Sequence, residues 1–219
     1  MFREFVYKLP LNLLASFRGR NLAWHVFAMV LTALLVVTGF DWWFYTATRS
    51  EYFGWIIFAA GIGGFYVPVI APVAIFVVGE IRKDRKMMDA GAMIAQSVII
   101  ASLIAAFYKA LTGRYQPEFM NTIGSVDMSR EFHFGFLQHG VFWGWPSSHA
   151  AVAFAGALVL AYLYRSNFVR ISALLYALFV AFGAGVGFHW FSDVLAGAII
   201  GGVIGVVVAR SERTSVIAV

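Results

Sequence analysis

Six long apolar stretches divide the chain, at residues 22–44, 53–79, 88–111, 146–164, 168–188 and 190–210, with brief polar clusters between them. A helix needs roughly 20 mostly apolar residues to cross about 30 Å of hydrocarbon, and these runs approach or exceed that length. Transmembrane strands would be about ten residues long and would alternate polar with apolar positions. These runs are longer and apolar all round, so the pattern predicts an all-α integral membrane protein. It has six transmembrane helices in a single domain over residues 1–219. Ahead of the first run, Phe2, Phe5, Val6, Leu9, Leu13, Leu14 and Phe17 mix with Arg3, Glu4 and Lys8. Residues 1–21 therefore read either as a leader whose amphipathic helix lies in the membrane interface or as a frayed end. Pro10 and Asn12 interrupt its apolar stretch, so a cleavable signal peptide is not expected. The second run carries Gly61, Gly63, Gly64, Pro68 and Pro72. These mark a kinked helix or a discontinuous transporter helix, and the lack of a matching broken run favours the kink.

Composition narrows the class. Only 12% of the residues are charged and 61% are hydrophobic, against about 25% charged in soluble chains. A water-soluble monomer is excluded. With no cysteine, disulfide scaffolds, thiolate metal sites and cysteine nucleophiles are excluded as well. The net charge of +5 matters through its distribution rather than as a nucleic-acid signal. Twelve basic residues (Arg3, Lys8, Arg18, Arg20, Arg82, Lys83, Arg85, Lys86, Arg165, Arg170, Arg210, Arg213) fall on one side of the predicted spans, and four (Arg49, Lys109, Arg114, Arg130) on the other. By the positive-inside rule this is a multi-pass plasma-membrane protein with both termini cytoplasmic. The segments 45–52, 112–145 and 189 then face outward, and Trp42, Trp43, Tyr45, Tyr52, Trp55, Trp143, Trp145 and Trp190 form an aromatic belt at that boundary. The bilayer is the expected partner, and nucleic acid is not.

The scarce polar residues gather at the outward ends of spans three to six. The connection 112–145 is too long to be a mere linker and is a candidate functional loop. His189 and Asp193 are four residues apart, close enough on a helix for the carboxylate to fix the imidazole tautomer. That leaves Nε2 as a nucleophile or base; the alternative is a structural His–Asp pair. Trp145-Pro146-Ser147-Ser148-His149 opens an apolar run, where free amides of a helix start suit an anion such as phosphate. His149 would stand above it as a proton donor; the alternative is an ordinary helix start. Lys109 and Arg114 flank the end of span three, where they would neutralise a phosphate or simply snorkel to the interface. Asp41, beside Trp42 and Trp43, is either a head-group contact or an ordinary interfacial acid.

Together, the order and spacing of these elements resemble the type 2 phosphatidic acid phosphatase (PAP2) superfamily of membrane lipid phosphatases. Its first motif is Lys, six residues, Arg-Pro; here it reads Lys109 to Gln116-Pro117. The second, Pro-Ser-Gly-His, is Pro146-Ser147-Ser148-His149. The third, Ser-Arg, five residues, His, three residues, Asp, is Phe182-Gly183 to His189 and Asp193. The resemblance covers nearly the whole chain. It implies an outward-facing site at which His189 attacks phosphorus, Asp193 orients it, and His149 protonates the leaving oxygen. Lys109 and the amides around Ser147 and Ser148 would hold the equatorial oxygens. No metal or other cofactor is implied.

The arginines of the first and third motifs are Gln116 and Gly183 here, and the glycine of the second is Ser148. Phosphoryl transfer depends on charge stabilisation, a well-placed arginine contributing ~10³–10⁵ in rate. Arg114 is the first candidate to compensate, with Arg130, His133 and His139 behind it. The expected activity is metal-independent hydrolysis of a lipid phosphate or diphosphate through a phosphohistidine. A lipid phosphotransferase on the same site and a non-catalytic lipid-phosphate-binding or transport relative are the alternatives. A secondary transporter would want a polar path at mid-membrane, whereas Thr32, Thr38, Gln96, Ser97 and Ser102 are scattered as helix-packing residues are. Ala196, Gly197, Gly201, Gly202 and Gly205 in span six predict close helix packing, within the chain or between chains.

Overall fold

Apolar runs of this kind become helices whose ends are set by a few polar and glycine positions. The computed structural model describes residues 2–118 and 126–217. Eight α-helices follow in order: α1 (Phe2–Ala15), α2 (Arg20–Val37), α3 (Phe40–Thr48), α4 (Gly54–Arg82), α5 (Arg85–Thr112), α6 (Ser148–Leu163), α7 (Asn167–Gly187) and α8 (Phe191–Ile217). A single 3-10 turn, Glu51–Phe53, joins α3 to α4, and the described residues contain no strand. Asp84 caps α5 by accepting from the Met87 amide at 3.1 Å.

Among the described residues, five segments are long and apolar enough to cross a membrane: Arg20–Val37, Glu51–Arg82, Arg85–Thr112, Asn167–Gly187 and Phe191–Ser211. The apolar run at 146–164 yields a shorter helix, the 16-residue α6, about 24 Å long at 1.5 Å per residue. The first predicted span, 22–44, is not one helix. Gly39, at φ +74°, takes a left-handed conformation that a side chain would resist, so α2 stops at Val37 and α3 sets off separately. By contrast, α4 runs unbroken through Pro68 and Pro72, which removes the discontinuous-helix reading of span two.

Helices α5 and α8 are central. Ile100, Ile104 and Tyr108 of α5 meet Ile200, Ile204 and Val208 of α8 in one core, with Ala151, Ala155 and Val159 of α6 and Trp145. Close approach of α6 to α8 depends on missing side chains. Methyl groups added at Gly197, Gly201 or Gly205 would run into the α6 backbone at Ser147, Ala151 and Ala155, whereas one at Gly202 would meet nothing. The small-residue stripe of span six is thus an internal contact. The outward faces of α2, α4 and α7 remain apolar and exposed, with Trp24, Leu34, Phe65, Ile70, Val73 and Leu175 among them. Such a belt suits hydrocarbon rather than water.

The leader is helical. Asn12 of α1 donates to Gln96 Oε1 at 2.6 Å and to Ser211 Oγ at 3.1 Å, while Gln96 Nε2 donates to the Phe5 carbonyl at 2.9 Å. These bonds bind α1 to α5 and α8. Of the scattered polar residues of the spans, Thr32 accepts from the Trp145 indole at 2.8 Å, buried Ser97 bonds back to the Ile94 carbonyl, and exposed Thr38 bonds back to the Leu34 carbonyl.

Candidate active site

The motif residues converge at one end of the bundle, where α5, α6, α7 and α8 meet. Between α7 and α8 the chain turns through Phe188, His189 and Trp190. The Phe188 and His189 amides both donate to the Ala184 carbonyl, at 3.0 and 2.9 Å. His189, 3% exposed, points Nδ1 at Asp193 Oδ2, 3.4 Å away in the first turn of α8. The expected pairing is therefore present, with His189 just before the helix rather than within it. Nδ1 is directed at the carboxylate and Nε2 is left on the opposite edge of the ring. Burial lowers the His189 pKa; Asp193 opposes this, and the charges of Lys109 and Arg114 reinforce it. The net shift favours the neutral imidazole, the form in which such a ring is nucleophilic.

The second motif docks against the third. The Ser147 amide donates to the Asp193 carbonyl at 2.9 Å, and the Ser147 side chain caps α6 through the Ala150 amide. Gly144, at φ +100°, lies against the Arg114 backbone, where a Cβ would come within 2.6 Å of the carbonyl oxygen. Only glycine lets the approach to Pro146 pass there. His149, half-buried in the first turn of α6, packs its ring edge-on to Phe188 with centroids 5.0 Å apart; Phe188 in turn lies 5.5 Å from His189. One aromatic ring thus touches both imidazoles. Half-buried Ser148 opens α6.

From the first motif, Lys109 is 2% exposed and its Nζ donates to the Phe142 carbonyl at 3.1 Å. Gln116 carries its amide nitrogen to 3.4 Å from Nδ1 and 3.5 Å from Nε2 of His189. Arg114 departs from the expectation that it faces a substrate. It is fully buried, with Nη1 donating to Asp193 Oδ1 at 2.5 Å and Ser192 Oγ at 2.8 Å, and Nη2 to Asp41 Oδ2 at 2.7 Å and the Ser129 carbonyl at 2.6 Å. Two carboxylates neutralise it and no terminal nitrogen is left over for a ligand. Of the other candidates for the missing charge, His133 and His139 pack edge-on and tilted against Tyr115, with centroids 5.1 and 4.6 Å away, and Arg130 reaches the Val37 carbonyl at 3.4 Å. Gly183 is closed to any larger residue, because a Cβ there would collide with Ala60 of α4.

Sequence reasoning missed α3. Asp41, Tyr45 and Arg49 recur every fourth residue, and that shared face meets the His189 turn at three points. Asp41, fully buried, accepts from the Ser192 amide at 2.8 Å and the Ser192 hydroxyl at 2.5 Å while pairing with Arg114. Tyr45 packs 5.4 Å from the Trp190 ring. Arg49 Nη1 donates to the Gly187 carbonyl at 2.6 Å. Neither reading of Asp41 survives: it is a structural anion beneath Asp193. Its four-residue spacing with Tyr45 and Arg49 after a glycine was the available signal.

Beside Phe188 an apolar groove of about 760 Å³ runs along α4, lined by Trp55, Ile57, Phe58, Gly61 and Ile62, with Glu51 and Gly54 at its end. Among the described residues, no three His, Asp or Glu side chains gather as a metal site would require.

The sequence profile of the PAP2 superfamily matches residues 88–216, more than half of the chain. No curated protein and no solved structure gives a significant match. The matched segment holds all three motifs and the helices that carry them, so the chain belongs to the PAP2 superfamily, a family of phosphatase-type enzymes.

Proposed function

We propose that this protein hydrolyses a lipid phosphate or diphosphate through a phosphohistidine at His189. The observation that carries this reading is the pairing of a buried, Asp193-oriented imidazole with an apolar groove that meets it at Phe188. In this reading the phosphate head group lies at His189 and Lys109, and an acyl or prenyl chain lies in the groove and the surrounding bilayer. His189 Nε2 attacks phosphorus while the bond from phosphorus to the leaving oxygen breaks, and protonated His149 donates its proton to that oxygen. Water then attacks the phosphohistidine, returns a proton to His149 and releases phosphate. Lys109 and the amides at Ser147 and Ser148 hold the equatorial oxygens. Arg114 serves in this reading as a brace, fixing Asp193 from behind. The twelve-to-four division of basic residues supports a site on the face away from the cytoplasm of the plasma membrane, with both termini cytoplasmic.

The test is phosphate release from a panel of lipid phosphates by the detergent-purified protein, with EDTA present. Release that persists in EDTA and disappears in His189→Ala is the expected result, with loss on the order of 10³-fold or more. Trapping a 32P-labelled, acid-labile phosphoenzyme in wild type but not in His189→Ala identifies the intermediate. Release that depends on a metal, or that survives His189→Ala, overturns the mechanism. Appearance of the label on an added lipid alcohol instead of in free phosphate would make the enzyme a phosphotransferase. Lipid phosphate binding with no release would make it a non-catalytic relative.

A further inference from the structure

A transferring phosphoryl group spreads its negative charge over three equatorial oxygens, and its stabilisation is mostly electrostatic. The charge available around His189 is small. Arg114 is matched by Asp41 and Asp193, Gln116 is neutral, and no side chain larger than hydrogen fits at 183. That leaves Lys109, whose charge acts on His189, and Arg49, which is bonded to the segment just before it.

Arg49 lies outside the segment that matches the family, yet its position is that of a site residue. Its Nη1 holds the carbonyl of Gly187, two residues before His189. Its guanidinium carbon sits 4.1 Å over the Tyr45 ring. That ring packs on Trp190, one residue after His189, and its hydroxyl donates to the carbonyl of Glu118, two residues after Gln116, at 3.4 Å. The guanidinium is therefore bracketed by the segment carrying His189 and the segment carrying Gln116. Its second terminal nitrogen, Nη2, is buried and has no hydrogen-bond partner among the described residues. An unbonded buried N–H is costly, and a ligand oxygen removes the cost. The planar fork of arginine suits a phosphoryl group, binding it in two-point fashion as a lysine cannot. Glu51, two residues on, lines the apolar groove, which places the Arg49 segment beside it.

We propose that Arg49 binds the equatorial oxygens of the phosphoryl group at His189, as the guanidinium that Gln116 and Gly183 do not supply. The inference rests on the phosphatase reading above. Its rival is that Arg49 only caps α7, since cations favour helix C-termini, and the experiment separates the two.

Wild type, Arg49→Ala, Arg49→Lys and the double variant Arg49→Ala/Gln116→Arg are purified in detergent. For each, lipid phosphate hydrolysis, rescue by millimolar guanidinium chloride, orthovanadate binding and the thermal midpoint are measured. Arg49→Ala is expected to lose about 10³-fold in kcat/KM, with most of the loss in kcat and little change in thermal midpoint. Guanidinium, or the arginine introduced at 116, is expected to recover at least about tenfold of it, and Arg49→Lys to fall between. A loss under about threefold overturns the proposal. So does a loss that neither guanidinium nor Gln116→Arg relieves, the result expected of a helix cap. If wild type hydrolyses no lipid phosphate, the phosphatase reading has failed and vanadate decides Arg49 separately. Binding weakened about tenfold or more in Arg49→Ala keeps it as an anion ligand. Unchanged binding, or none in wild type, removes it.

Discussion

His189 sits among charges of both signs, and their balance with burial sets the pH at which its imidazole ionises. Asp193 raises its pKa, burial lowers it more, and Lys109 and Arg114 push in the same direction as burial. The other imidazole of the site, His149, lies across Phe188. Because the net shift is downward from about 6.5, the imidazole is protonated only at lower pH, where the proposed nucleophile would be silent. The acid limb of kcat/KM is therefore expected below pH about 6.5. In Asp193→Asn the raising influence is gone while Lys109 and Arg114 remain, so the limb moves further down as the plateau falls. A limb that moves upward in that variant would mean that another group titrates. Lys109, His149, His189 and Asp193 were legible in the sequence because their spacing is short-range or matches a family motif. The partners of Arg114 were not. Asp41 lies 73 residues away, and no local pattern states that two distant segments share a buried ion pair. Such pairs are held tightly, removal of one partner costing about 3–5 kcal/mol, which makes Arg114 a structural residue before it is anything else.

At the scale of elements, the α6–α8 contact sets the distance between the second and third motifs. Gly201 meets the Ala151 backbone with no room for a methyl, and its neighbour Gly202 faces open space. Gly201→Ala is expected to destabilise the protein by about 1–3 kcal/mol through overpacking and to reduce activity as α6 shifts from α8. Gly202→Ala is expected to be neutral or slightly stabilising, by up to about 1 kcal/mol of helix propensity. Thermal unfolding in detergent distinguishes them, and equal effects would mean that α6 and α8 are not packed through this stripe. The stripe itself was visible in the sequence, but not the helix it faces. Likewise, Gly39 was a plain residue within an apolar run. Only its left-handed backbone makes α3 a separate helix and turns Asp41, Tyr45 and Arg49 onto the His189 turn.

For the molecule as a whole, orientation is the property on which access of substrate depends. The chain lacks cysteine, so single cysteines report it without background. Tyr52→Cys, at a side chain 93% exposed between α3 and α4, is expected to react with a membrane-impermeant maleimide in intact cells. Lys83→Cys, exposed between α4 and α5, is expected to react only after the cells are opened. The reverse pattern would put His189 on the cytoplasmic face and demand a different substrate pool. Sequence alone determined the membrane class, the long helices other than the α2–α3 break, and the cluster of motif residues at one end, because length, apolarity and local spacing are properties of contiguous chain. Tertiary structure alone decided that Arg114 is internally neutralised, that position 183 is closed, and that α3 closes over the His189 turn. Those facts depend on which segments, far apart in the chain, come within hydrogen-bond or van der Waals distance, and burial decides them by making any unpaired charge or overlapping atom costly.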